Sequence, residues 1–138
     1  MPKNVYSEIN LHITWHTKQS LPIIKPQIES NLFQYLKDRI IETPETYFHA
    51  VGGTEDHIHL AVSISPKLEI AKWVGQMKGA SSHHINRSTN RKILEWQDGY
   101  GVVSFGTKDL PWIVRYIENQ KEHHHSRKIF ERLEKIES

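Results

Sequence analysis

The chain contains no cysteine, and that absence excludes disulfide frameworks, thiolate zinc sites and cysteine nucleophiles together. No apolar run approaches the roughly 20 residues that span a bilayer, so the composition points to a soluble globular protein without a membrane partner. The first residues, Met1-Pro2-Lys3-Asn4, lead into an alternating segment and lack the apolar stretch of a secretory signal, so a cytoplasmic location is expected. Strong charge of one sign is missing as well. The 18 basic and 16 acidic groups leave a net +2, which by itself gives little attraction to a polyanion. No internal repeat or low-complexity segment breaks the chain. Its 138 residues, 37% of them hydrophobic, suffice for one core and are too few for two, so residues 1–138 read as a single domain.

What the sequence does have is histidine, ten of them, and an uneven distribution of charge. Residues 1–66 carry five basic and seven acidic groups, whereas 67–92 carry Lys67, Lys72, Lys78, Arg87, Arg91 and Lys92 against Glu69 alone. Such a segment is either a solvated helix face or a contact for a phosphate backbone.

Hydrophobic periodicity orders the chain. From Glu8 to Trp15, apolar Ile9, Leu11, Ile13 and Trp15 alternate with polar residues, the period of a strand with one wet face. After Pro22 and Pro26, Ile28, Leu32, Leu36 and Ile40 recur at helical spacing until Thr43-Pro44. Tyr47 to Val51 reads as a short strand closed by a turn at Gly52-Gly53. In the next strand, His57 to Ile64, the residues Ile58, Leu60, Val62 and Ile64 face the core, and His57, His59, Ala61 and Ser63 face away. Ser65-Pro66 predicts an N-cap and a proline at the first position of a second helix, striped by Ile70, Val74 and Met77 and carrying the basic residues. Ser81 to Gly101 is polar and punctuated, and Val102 to Phe105 is the expected last strand. Leu110, Ile113, Val114 and Ile117 then mark a C-terminal helix over about residues 108–125, followed by a charged tail from about 126 to 138. The order β-α-β-β-α-β predicts an α+β, ferredoxin-like antiparallel sheet with two helices on one face, an additional C-terminal helix, and the other face left available.

His57-Ile58-His59 is the most specific short feature. Residues two apart on a strand share a side, so both imidazoles can reach one metal ion, although a His-x-His pair also occurs for purely structural reasons. Tyr116 and Gln120 lie one helical turn apart, with Asn119 nearby. If their helix covers the open sheet face, Gln120 could add an oxygen ligand and Tyr116 a nucleophile; if not, they pack and solvate. Trp73, Trp96, Tyr100 and Trp112 could stack on unpaired bases or pack in the core, and His83 and His84 read as surface residues.

Together, four segments resemble the small HUH-type, single-tyrosine transposases of the insertion sequence 200/605 group. They are His57-Ile58-His59, the Ser65-Pro66-Lys67 lead into Gln76-Met77-Lys78-Gly79-Ala80-Ser81-Ser82, Trp96-Gln97-Asp98-Gly99-Tyr100-Gly101, and Tyr116-Ile117-Glu118-Asn119-Gln120. They fall in the same order over roughly residues 5 to 125; the run His123-His124-His125 follows Gln120. The resemblance implies that His57 and His59, with Gln120, bind a divalent metal, magnesium or manganese, and that Tyr116 is the catalytic nucleophile. It implies an enzyme that cleaves and rejoins single-stranded DNA at element ends, often hairpins, through a 5′-phosphotyrosine link, and that works as a homodimer. Because such a link retains the energy of the phosphodiester, no nucleotide cofactor is expected.

Two other readings use the same residues. A histidine-triad nucleotidyl hydrolase or transferase would need a third alternating histidine, and Ala61 stands there. A non-catalytic single-stranded nucleic-acid-binding module would need stacking aromatics on the sheet face, where Asn10, His12, His57 and His59 stand instead.

Overall fold

The computed structural model describes residues 5–121 and 131–136. Strand β1 (Ile9–His16) is followed by helix α1 (Pro26–Glu42), the hairpin of β2 (Thr46–Gly53) and β3 (His57–Ile64), helix α2 (Ile70–Thr89), strand β4 (Gly101–Phe105) and helix α3 (Leu110–Glu118); a single helical turn spans Glu131–Glu134. The four strands form one sheet in the order β2-β3-β1-β4, with every neighbouring pair antiparallel. This is the expected ferredoxin-like arrangement. Among the described residues, no helix is long and apolar enough to cross a membrane.

The alternation in β1 and β3 builds the main core. Leu11, Ile13 and Trp15 pair in register with Val62, Leu60 and Ile58, and all six pack against Leu32, Leu36 and Ile40 of α1 and Trp73, Val74 and Met77 of α2. The opposite face is not left open, as the sequence suggested, because α3 lies across it. Ile113 and Ile117 of α3 pack on Ala50 and Ala61, which pair across β2 and β3. Small residues make this approach possible. A Cβ at Gly52 would fall 2.0 Å from the Ile117 carbonyl oxygen, so only glycine lets the helix lie so close.

Four boundaries differ from the sequence reading. The C-terminal helix, expected over about 108–125, breaks as α3 at Glu118, with Asn119 outside helical geometry at φ -111°. Ser65-Pro66 forms a turn rather than a helix start: the Ser65 hydroxyl and carbonyl oxygens accept from the Lys67 and Leu68 amides, and α2 begins only at Ile70. That helix also continues through the punctuated stretch to Thr89. Ser81, Ser88 and Thr89 bond back to carbonyls of the preceding turn, Ile85 extends the buried stripe, and Asn90, at φ 55°, closes the helix in the left-handed region. Gly52 and Gly53 belong to β2 itself, so the hairpin turns at residues 54–56 instead.

Candidate functional site

The outward residues of β3 place His57 and His59 under α3, both buried. His57 stands opposite His16 of β1, their rings stacked 5.0 Å apart, and His59 stands between Thr14 and Gly52 of the flanking strands. Each imidazole is held by its Nδ1. That of His57 lies 2.6 Å from Asp56 Oδ1 and 2.9 Å from Thr54 Oγ1, and that of His59 lies 2.7 Å from His12 Nε2. With Nδ1 engaged in both rings, the two Nε2 atoms turn inward. This is how supporting groups orient metal-binding histidines.

Tyr116 enters from α3, with its ring edge-on to His59 at 6.0 Å and only 1% of the residue exposed. A carboxylate from the far end of the chain completes the group. Glu134 Oε1 lies 3.3 Å from His57 Nε2 and 3.2 Å from His59 Nε2, while its Oε2 accepts the hydroxyl of Tyr116. The donor atoms of His57, His59 and Glu134 all lie within 4.8 Å of one another, close enough to hold one metal ion. Two buried, pre-oriented imidazoles and a partly buried carboxylate fit a divalent cation chemically.

Electrostatics follow the geometry. Burial disfavours a charged His57, but its bonds to Asp56 and Glu134 and their negative charge outweigh this and raise its pKa from 6.5 to about 9. For Glu134 burial acts the other way, yet the hydrogen bonds from His57 and His59 hold its carboxyl well below the usual carboxylate range. The bond to His57 likewise lowers Asp56. Burial and the neighbouring His59 push His12 down to about 3, so it stays neutral and can accept from His59 Nδ1–H.

The fold thus brings His57, His59 and Tyr116 together. Gln120 is buried one turn beyond Tyr116 and donates from Nε2 to the Tyr116 carbonyl oxygen at 3.2 Å; it also lines a cleft of about 500 Å³ with Gly52, Gly53 and Asn119. The basic residues belong to the other side of the sheet, where α2 packs on Ile58 and Leu60. Lys72 and Arg87 are exposed on that helix, and Lys67, Arg91 and Lys92 are exposed in the segments that flank it. Lys78 is half-buried and donates to the Gln97 and Gly99 carbonyls at 2.7 and 3.0 Å, so it ties down the loop before β4; burial lowers its pKa. Trp73 is core, while Trp96, edge-on to Trp15 and bonded to Ser81 Oγ, and Tyr100 pack against the core. Trp112, itself on α3, packs against the small cluster of Ala50, Ala61, Ile113 and Ile117. His83 is exposed, whereas His84 stacks on Tyr35 and bonds Asn31. His123, His124 and His125 lie outside the described residues.

Sequence reasoning missed Asp56, Thr54 and above all Glu134. Only the spacing of Leu133 and Ile136, three residues apart in a charged tail, hinted that this segment packs; Leu133 is in fact buried.

Comparison with known proteins places this arrangement. The fold matches the crystal structure of a protein from Deinococcus radiodurans R1 provisionally named a transposase, with a TM-score of 0.69 and 21% identity over 87% of this chain and 96% of that one. It also matches a REP-associated tyrosine transposase bound to a REP hairpin, with a TM-score of 0.58 and 14% identity over 90% of this chain and 73% of that one. No curated protein matches. Residues 5–120 match the family described as "Transposase IS200 like", a span that runs from just before β1 through His57, His59 and Tyr116 to Gln120. The chain belongs to the IS200-like transposase family.

Proposed function

We propose that this transposase cleaves and rejoins single-stranded DNA at the ends of its own element, with the Tyr116 oxygen as nucleophile. The observation that carries this reading is the placement of a buried tyrosine hydroxyl beside two inward-facing imidazoles, all on one face of the sheet. A phenol has a pKa near 10, so little phenolate exists at neutral pH and the site must take the proton as attack occurs. As the bond from the Tyr116 oxygen to phosphorus forms, the bond from phosphorus to the 3′-oxygen breaks and that oxygen takes up a proton. The products are a 5′-phosphotyrosine link and a free 3′-hydroxyl. A second 3′-hydroxyl can reverse the step on another strand, which accounts for rejoining without a nucleotide cofactor.

His57 and His59, with Gln120 just beyond the end of α3, are the residues that would hold a divalent cation, magnesium or manganese. Such an ion supplies Lewis acidity toward a non-bridging phosphate oxygen. Asp56 and His12 keep both imidazoles aimed through their Nδ1 atoms. Hairpin ends are the proposed substrate, in line with the hairpin bound by the REP-associated relative, and Lys67, Lys72, Arg87, Arg91 and Lys92 are proposed phosphate contacts. Two copies are proposed to act together, in the cytoplasm.

The test is a denaturing gel of the purified protein with labelled single-stranded DNA from the flanks of its own gene, in magnesium or manganese. A covalent band that disappears in Tyr116→Phe supports the reading. Tight binding without any adduct would favour a non-catalytic nucleic-acid-binding role.

A further inference from the structure

Glu134 stands at the centre of the histidine pair although it comes from a segment with no recognisable motif. We infer that Glu134 is a further metal ligand of this chain and the group that aims the Tyr116 hydroxyl, so that the C-terminal turn is a working part of the site. The inference rests on the metal-assisted reading above and deepens it.

Distances carry the first half. Oε1 lies 3.3 and 3.2 Å from the two Nε2 atoms, and adjacent donors on the shell of one small cation, each about 2.1 Å from it, stand about 3 Å apart. The carboxylate also changes the chemistry of the donor set. Two imidazoles alone favour zinc or a transition ion, and an anionic oxygen shifts the preference toward magnesium or manganese. The second half follows from the other oxygen, because Oε2 accepts the Tyr116 hydroxyl and so sets one residue on both the ligand cluster and the nucleophile. That ties the phenol to the imidazoles through one carboxylate.

The seat of this turn is built rather than incidental. Leu133 is 3% exposed, Arg132 donates to the Ser104 carbonyl at 2.8 Å, and the Lys135 carbonyl approaches β4 where a Cβ at Gly101 would fall 2.0 Å from it. Thr14 of β1 flanks the same glycine, so the segment is held against edge strand β4 and its neighbour β1.

The experiment is a calorimetric titration of the full-length protein with Mn²⁺, without DNA, for the wild type and for Glu134→Gln, Glu134→Ala, Gly101→Ala and His57→Ala. Circular dichroism on each checks the fold. The expected result is that both Glu134 variants weaken Mn²⁺ binding by at least the roughly tenfold seen on losing a supporting group of a metal site. Gly101→Ala, which touches no ligand, weakens it in the same direction by lifting the turn. Unchanged affinity in Glu134→Gln and Glu134→Ala overturns the inference while leaving the histidine site standing. Tighter binding in Glu134→Ala also overturns it, and identifies the carboxylate as a plug that the ion must displace. If the wild type binds no Mn²⁺, or His57→Ala binds as tightly as wild type, the metal-assisted reading itself fails.

Discussion

At the scale of single residues, the site is a set of side chains whose roles are separated by which atom each uses. Tyr116 offers one hydroxyl, and Tyr116→Phe removes that oxygen while keeping the ring that packs on His59. The covalent adduct should vanish on a denaturing gel, with DNA affinity in a gel-shift assay changed by no more than about twofold. His57 and His59 each use one nitrogen inward and one for support, so replacing either by Ala should abolish metal-dependent cleavage, read as a flat response to added Mn²⁺. His12 governs the response to acid. Its folded pKa of about 3 lies below the ordinary 6.5, so the unfolded chain binds more protons between those values and stability falls as pH drops through that window. Between pH 7 and 5 the loss through this residue should be about 2 kcal/mol. His57 acts in the opposite window. With its pKa raised to about 9, its contribution is fully present below 6.5 and is lost as pH rises toward 9. Urea unfolding at pH 5 and 7 checks this: the acid-side loss should be present in wild type and much reduced in His12→Gln.

At the scale of elements, α3 depends on a patch of small residues. Gly52→Ala would put a methyl 2.0 Å from the Ile117 carbonyl oxygen, so the helix must shift outward and carry Tyr116 with it. Overpacking of this kind costs about 1–3 kcal/mol. The expected outcome is a folded protein of reduced urea stability whose adduct formation falls more than its DNA binding. The loop before β4 shows how one basic residue can serve structure. Lys78 donates to two loop carbonyls, so Lys78→Met should loosen residues 97–99, read as faster amide exchange there. Lys72 sits exposed on the same helix, 4.0 Å from the equally exposed Glu69, so Lys72→Ala should change stability little and, if it meets phosphate, lower the salt slope of DNA binding by about one.

At the scale of the molecule, the sheet separates two faces with different tasks. One buries the large core under α1 and α2, and those helices turn their exposed basic residues away from the histidines. A strand that touches both the basic helix and Tyr116 of the same copy would have to pass around the sheet, whereas two copies could divide these contacts between them. Mixing Tyr116→Phe with His57→Ala protein tests this. Cleavage restored in the mixture means that tyrosine and histidines of different copies combine, and no rescue means that each copy works alone.

What the sequence determined by itself was everything encoded over a few residues. Alternation in β1 and β3 put Ile58 and Leu60 inward and His57 and His59 outward, because strand geometry leaves no other choice at a period of two. The helical spacing of Ile28, Leu32, Leu36 and Ile40 likewise named the buried face of α1, and all four are buried. The one-turn spacing of Tyr116 and Gln120 was equally local. Where local signals compete, the reading failed: Ser65-Pro66 satisfies the rules for a helix start and for a turn, and only its bonds to Lys67 and Leu68 decided between them. Tertiary structure alone decided that α3 closes the second face, since Ala50, Ala61 and Gly52 mark a shallow patch only once their strands pair. It alone brought Glu134 to His59 across 75 residues of sequence. Proximity at that separation depends on how the whole sheet and its coverings pack, and no period along the chain carries it.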